Sequence, residues 1–234
     1  LSSLSRPALE ATGRKRAAIE LIRRLGADEP LFWGGAVVYD ETFKPRVLSA
    51  SLRKRMNGLS SLRVVEPYLK RIEHERPDSD FLARMTYLEL KLRLPELLLM
   101  RVDKITMATS VEARVPFLDH QLVEYALSLP RSLKVAGTTG KHILKRALET
   151  VLPRDLLYEP KRGFGAPVRE WFRGGSLRGW FDEHLMNSKM RQRDLLDYTF
   201  VARMLEEHRQ RKNDWGFHLW ALLNLSLWYE QWID

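Results

Sequence analysis

The sequence predicts a mainly α fold. Apolar residues recur at three- and four-residue spacing through most of the chain, and the strict alternation of a half-buried strand is almost missing. Prolines stand where helices would start or stop, at Pro7, Pro95, Pro116 and Pro130. At 234 residues the chain can bury a core, and with 44% hydrophobic and 29% charged residues it reads as globular rather than disordered.

Taken in order, Pro7 suits the first turn of a helix running to about Leu25, with Ala18, Ile19, Ile22 and Leu25 on one face. Leu31 to Tyr39 is apolar around Gly34-Gly35 and reads as a short helix or turn. A polar helix is expected from about Glu41 to Met56, and another from Val64 to His74. Ser79 is placed to cap a helix through Leu94 that aligns Phe81, Met85, Leu88 and Leu92. Pro95 should interrupt it and open a second helix, Glu96 to about Ala108, whose run Leu97 to Met100 predicts burial on most sides. Val115 precedes a proline and is pushed to extended geometry, so helicity breaks across Arg114 to Leu118. Asp119 can cap the next helix, which Pro130 stops. Thr138-Thr139-Gly140 is expected to open a helix reaching about Val151. Pro160 to Pro167, with Gly163 and Gly165, reads as a loop. Three helices should finish the chain, near 177–185, 198–211 and 217–232.

Several functional classes are disfavoured. There are no cysteines, which removes disulfides, thiolate metal sites and thiol nucleophiles and fits a reducing, cytoplasmic setting. The six histidines lack metal-binding spacing, and neither a nucleophile elbow nor a P-loop is present. The net charge of +9 is dispersed among 30 acidic residues, so a solvated basic surface or a polyanionic small substrate such as ATP fits better than nucleic acid. The most apolar stretch, Phe217 to Trp232, is too short to span a bilayer and reads as a buried C-terminal helix carrying Trp220 and Trp228. The chain begins at Leu1, without signal-peptide features, and reads as a fragment of a longer protein.

Three features could carry chemistry. Capped by Thr139, the helix after Gly140 would hold Lys141 in its first turn, where a cation is disfavoured by roughly 0.3–1 kcal/mol. An anion bound between the ammonium and the exposed N–H groups would reverse that preference; the alternative is a lysine turned out into water. The loop Glu159 to Pro167 sets Lys161 and Arg162 before Gly163 and Gly165, which let backbone approach a ligand, though ordinary surface loops share this pattern. Asp103, Glu112 and Arg114 lie in otherwise apolar surroundings, as a structural ion-pair network or a site would.

These features fall in an order that resembles one family. The run from Leu94-Pro95-Glu96 to Asp103-Lys104, then Met107-Ala108, then Ser110-Val111-Glu112-Ala113-Arg114-Val115-Pro116-Phe117-Leu118-Asp119, resembles the synthetase domain of the glutamine-dependent asparagine synthetases. Gly140-Lys141-His142-Ile143-Leu144-Lys145-Arg146-Ala147 is similar to its lysine-bearing helix, and Pro160-Lys161-Arg162-Gly163-Phe164 to the loop that follows. The resemblance implies that residues 1–234 are the helical C-terminal portion of an ATP-pyrophosphatase-type synthetase domain. Such a domain uses ATP and Mg2+ to adenylate aspartate, and ammonia from glutamine, released by an N-terminal glutaminase domain, then gives asparagine, AMP and pyrophosphate. It further implies Lys141 as the catalytic cation, Lys161, Arg162 and Gly163 on the phosphate side, and Asp103, Glu112, Arg114 and Asp119 as supporting residues. No metal ligand is implied, and neither nucleic acid nor membrane is an expected partner. The family's Ser-Gly-Gly-x-Asp-Ser loop, which holds ATP, is absent from this sequence. Gly26-Ala27-Asp28-Glu29 superficially matches a second nucleotide-side motif, but it lacks the preceding Ser-Gly-Glu. A related amide former acting on another carboxylate would share these helices, and a basic helical binding module is the reading from another class.

Overall fold

The computed structural model describes residues 22, 24–26, 38–56, 58–160, 166–175 and 177–233. Helix dominates, and the one sheet among the described residues has two strands of two residues each. The chain divides into two compact units, residues 1–61 with 165–234, and the inserted residues 62–164.

In the first unit, α1 (Lys44–Val47) and α2 (Ala50–Arg55) replace the single helix expected from Glu41 to Met56. The break falls at Leu48, which bridges to Leu196, and at Ser49. The Ser49 hydroxyl accepts the Leu52 N–H and donates to the Asp194 carbonyl at 2.5 Å. Those long-range bonds outweigh the local preference for one continuous helix. Then come α10 (Val168–Arg173), α11 (Arg178–Met186), a 3₁₀ turn at Lys189–Arg193, α12 (Tyr198–Arg209) and α13 (Gly216–Trp232). Asp197 caps α12 by accepting the Thr199 and Phe200 N–H groups, both at 3.0 Å.

These helices close over one apolar core. Phe172, Leu185, Met190, Val201, Met204, Leu219 and Leu223 are fully buried, and Phe43 and Val47 enter from the N-terminal segment. Several polar groups inside it are paired. His208 donates from Nε2 to the Arg169 carbonyl at 2.8 Å and accepts the Trp215 N–H on Nδ1 at 3.1 Å. Arg209 donates to Asp182 at 2.6 Å, and Ser226 to the His184 carbonyl at 2.6 Å. At Gly216 a Cβ would sit 2.8 Å from Arg169 Cγ, so glycine lets α13 approach α10. Helix α13 is buried along one side, at Leu219, Leu222, Leu223 and Ser226, but Trp228, expected within it, is 49% exposed.

In the second unit, α3 (Leu62–Glu75) buries Val65 and Ile72. It leads through a turn to α4 (Phe81–Leu88), where Asp80, not Ser79, is the cap, accepting the Ala83 N–H at 2.8 Å. Ser79 instead receives the Arg84 guanidinium. Met85 and Leu88 are buried as the periodicity requires, but Phe81 on the same face is exposed.

Pro95 does not break the helix. The backbone runs on without interruption from α4 through a π-helix, Glu89–Leu99, into α5 (Met100–Met107). Proline removes an N–H and crowds the carbonyl four residues back in an α-helix. The wider turn relieves that crowding, and the Met100 N–H reaches the Pro95 carbonyl five residues back. The added residue per turn smears the leucines of this segment around the axis, and none of them is buried. The expected burial of Leu97 to Met100 is therefore overturned: Leu98 is 47% exposed and Met100 44%.

Beyond α5 lie a 3₁₀ turn at Pro116–Leu118, α6 (His120–Ser128), α7 (Arg131–Lys134), β1 (Val135–Ala136), β2 (Thr139–Gly140), α8 (His142–Leu148) and α9 (Arg154–Tyr158). No residue from 89 to 160 is buried. Of the expected N-terminal helix only Ile22 and residues 24–26 are described, helical, with Leu25 exposed. The segment expected from Leu31 lies outside the described residues up to 37.

Candidate functional site

The Ser110–Asp119 run is a connector fixed by a helix cap at each end. The Val111 N–H donates to the Thr106 carbonyl and the Ser110 N–H to the Met107 carbonyl, both at 3.0 Å. This is the Schellman pattern, whose left-handed position usually belongs to glycine. Here Ser110 occupies it, at φ 60°, a strain of roughly 1 kcal/mol for a residue with a Cβ. At the other end Asp119 Oδ1 accepts the Leu122 N–H at 3.2 Å, the cap that the sequence predicts. Val115 leaves the helical region before its proline but stops short of the expected extended geometry, at φ −123° and ψ 75°.

Within this connector Arg114 pairs with Glu112 at 2.9 Å, both side chains well exposed. Asp103 does not join them and has no side-chain partner among the described residues. The expected buried cluster is thus two residues on the surface and a third apart. Without burial the cost of an unpaired charge, which makes such clusters obligatory in a core, is absent.

Lys141 is not in the first turn of a helix. Thr139 and Gly140 form β2, which pairs with β1 so that Val135 faces Gly140 and Ala136 faces Thr139. The two-residue loop has Gly137 at φ 57°, as tight hairpins favour. Helix α8 starts only at His142, and Lys141 is its N-cap, in the left-handed conformation at φ 56°, ψ 37°. Its carbonyl accepts the first intrahelical bond, from the Lys145 N–H at 3.0 Å, while its side chain makes no capping bond. The left-handed turn between hairpin and helix thus falls on Lys141 and not on the neighbouring Gly140.

The other long cations of α8 are committed. Arg146 pairs with Glu149 at 3.2 Å, and Lys145 lies over the Tyr158 ring at 5.0 Å. Tyr158 donates its hydroxyl to Glu149 at 2.7 Å, and Arg154 adds a longer contact at 3.5 Å. That hydrogen bond holds the Glu149 carboxyl below, and the Tyr158 phenol above, its ordinary range. This network ties α9 to α8, and the sequence reading missed both Glu149 and Tyr158; a carboxylate one turn beyond an arginine was the available signal. Lys141 alone among these cations is exposed with no ion-pair partner among the described residues. An ammonium beside the unsatisfied first N–H groups of a helix can hold an anion that faces both.

Lys161, Arg162 and Gly163 lie outside the described residues. Among the described residues no group of three or more His, Asp or Glu side chains could hold a metal ion, and no helix is long and apolar enough to cross a membrane.

The family described as asparagine synthase matches residues 19–230 of the chain. A putative glutamine-hydrolyzing asparagine synthetase of Mycobacterium tuberculosis is 40% identical over 155 residues, covering 66% of this chain and 24% of the relative. Asparagine synthetase 1 of Bacillus subtilis is 29% identical over 197 residues, covering 84% of this chain and 29% of the relative. The glutamine-hydrolyzing asparagine synthetase of Rattus norvegicus is 30% identical over 138 residues, 52% of this chain and 24% of the relative. The chain thus spans about a quarter of the length of the curated relatives it matches. No solved structure matches it.

Proposed function

The chain belongs to the asparagine synthase family, and from that premise we propose that it is the helical, C-terminal part of a cytoplasmic synthetase domain that makes asparagine from aspartate. The domain forms aspartyl-adenylate from aspartate and ATP, with loss of pyrophosphate. Ammonia, released from glutamine by a glutaminase domain of the same protein, then attacks the acyl carbon and AMP leaves. The observation that carries this reading is Lys141: a strained, uncommitted cation at the mouth of α8, inside the stretch that resembles the family's lysine-bearing helix.

In this mechanism the Lys141 ammonium opposes the charge that builds on the phosphate oxygens as the adenylate forms and breaks. A positioned cation of this kind contributes several kcal/mol in the transition state. Lys161 and Arg162 add to the phosphate side, and Gly163 lets the loop backbone come close. Asp119, through its cap, and Ser110, through its turn, fix the two ends of the connector, and Glu112 and Arg114 stiffen it; Asp103 is assigned a supporting place on α5. Magnesium enters with ATP, and the described side chains offer it no cluster of ligands. The exposed apolar side chains of residues 89–160 agree with a segment that completes its burial within a larger domain.

The test joins this segment to the nucleotide-binding part of its family and follows aspartate-dependent release of AMP and pyrophosphate. Lys141→Ala is expected to cut that rate by about a hundredfold or more. Lys141→Arg should restore it only in part, because a planar fork does not replace a compact point charge. The 234-residue chain alone is expected to release no AMP above background. A Lys141→Ala rate within about twofold of the parent would remove Lys141 from the chemistry, by the arithmetic that makes a tenfold change about 1.4 kcal/mol.

A further inference from the structure

The second unit holds a cavity of about 380 Å³ between two helix corners. One wall is the corner between α3 and α4, and the other the corner between α6 and α7. Both walls are pinned by their own bonds. On the first, the Ser79 N–H donates to the Arg76 carbonyl and Asp80 caps α4. On the second, the Lys134 ammonium donates to the Leu127 carbonyl at 2.9 Å, and the Leu133 N–H to the Pro130 carbonyl.

Against these fixed walls, three charged side chains that line the space are uncommitted. Arg76, Asp78 and Arg131 make no side-chain hydrogen bond or ion pair among the described residues. Tyr87 also lines the cavity, and its hydroxyl is shut off from solvent without a hydrogen-bond partner. A hydroxyl that solvent cannot reach does not face the open space, so it is no part of the cavity's polar lining. The rest of the lining includes aliphatic side chains, among them Ile72, Leu82 and Leu129.

We propose that this cavity binds a small zwitterion, an α-amino acid with an aliphatic side chain. Two free guanidiniums match one carboxylate, through the fork geometry that favours Arg for such groups. Asp78 matches the ammonium, and the aliphatic wall takes the side chain. The volume falls at the small end of the range of ligand sites, about 300–1,000 Å³. The proposal does not depend on the synthetase reading, because none of these residues is given a role in that chemistry.

Isothermal calorimetry of the 234-residue chain with three matched probes tests it. L-leucine carries both charges, 4-methylpentanoate lacks the ammonium, and 3-methylbutylamine lacks the carboxylate. Leucine should bind saturably to one site, and each analogue about tenfold or more weaker. Arg76→Gln and Arg131→Gln should each weaken leucine by about tenfold, and Asp78→Asn should weaken leucine while sparing 4-methylpentanoate. These side chains make no hydrogen bond or ion pair among the described residues, so far-ultraviolet circular dichroism should match the parent in each variant. Lys141→Ala should leave leucine binding unchanged. No saturable binding, equal binding of 4-methylpentanoate, full affinity in Arg131→Gln, or lost affinity in Lys141→Ala would each overturn the proposal.

Discussion

Among the described residues of the second unit, two that are not glycine adopt a left-handed backbone, and both lie in the stretches that resemble the family's motifs: Ser110 and Lys141. Such strain persists only where the surroundings impose it, and it concentrates at functional sites. The two can be separated by their expected responses. Ser110→Gly should stabilise the chain by about 0.5–1 kcal/mol in urea unfolding, since a Schellman cap favours glycine. Lys141→Gly should stabilise by a similar amount for the same backbone reason, while Lys141→Ala, which keeps the Cβ, should be near neutral. If Lys141→Gly instead destabilises by more than about 1 kcal/mol, the ammonium has a structural partner and is not free for a ligand. The sequence directs attention to Lys141 but misplaces it, because threonine and glycine before a helix look like its cap. In this chain they are spent on a hairpin, a pairing between residues that no helical template contains.

At the scale of elements, the long helix from Phe81 to Met107 shows what a proline can mean inside a periodic pattern. In an α-helix interior proline costs about 3 kcal/mol relative to alanine. The π-helix around Pro95 accommodates the ring, so Pro95→Ala should stabilise by clearly less than that, measured by urea unfolding with the helical signal as readout. A gain of the full amount would show that the proline is strained where it stands. Asp119, Pro130 and the last three helices are legible in the sequence because each depends on a local signal: a capping carboxylate, a stop, or an unbroken 3.6-residue period. Ser79 loses the capping position to its neighbour Asp80, a choice between adjacent capping residues that only the Arg84 contact decides. The split between α1 and α2 is illegible for a different reason, since it follows from a bridge to Leu196 far along the chain.

Across the whole molecule, the two units differ in what their apolar residues touch. Ile105, Phe117 and Leu122 are apolar, and a sequence is silent on whether the chain itself supplies them cover; all three are exposed here. Leu185→Ala, in the closed core of the first unit, should cost about 2–5 kcal/mol, whereas Ile105→Ala should change the stability of this chain by less than about 0.5 kcal/mol. Equal costs in chemical unfolding would mean that the second unit is covered in solution. The interleaved build of the first unit has one more consequence, and it concerns time. Ser49 and Asp194 meet although 145 positions separate them. A ribosome adding about 5–20 residues per second takes about 7–30 s to bring out the second after the first. Throughout that interval Phe43 and Val47 have emerged without the helices that will enclose them, so the nascent chain is most exposed to chaperones and proteases while the inserted residues 62–164 are being translated.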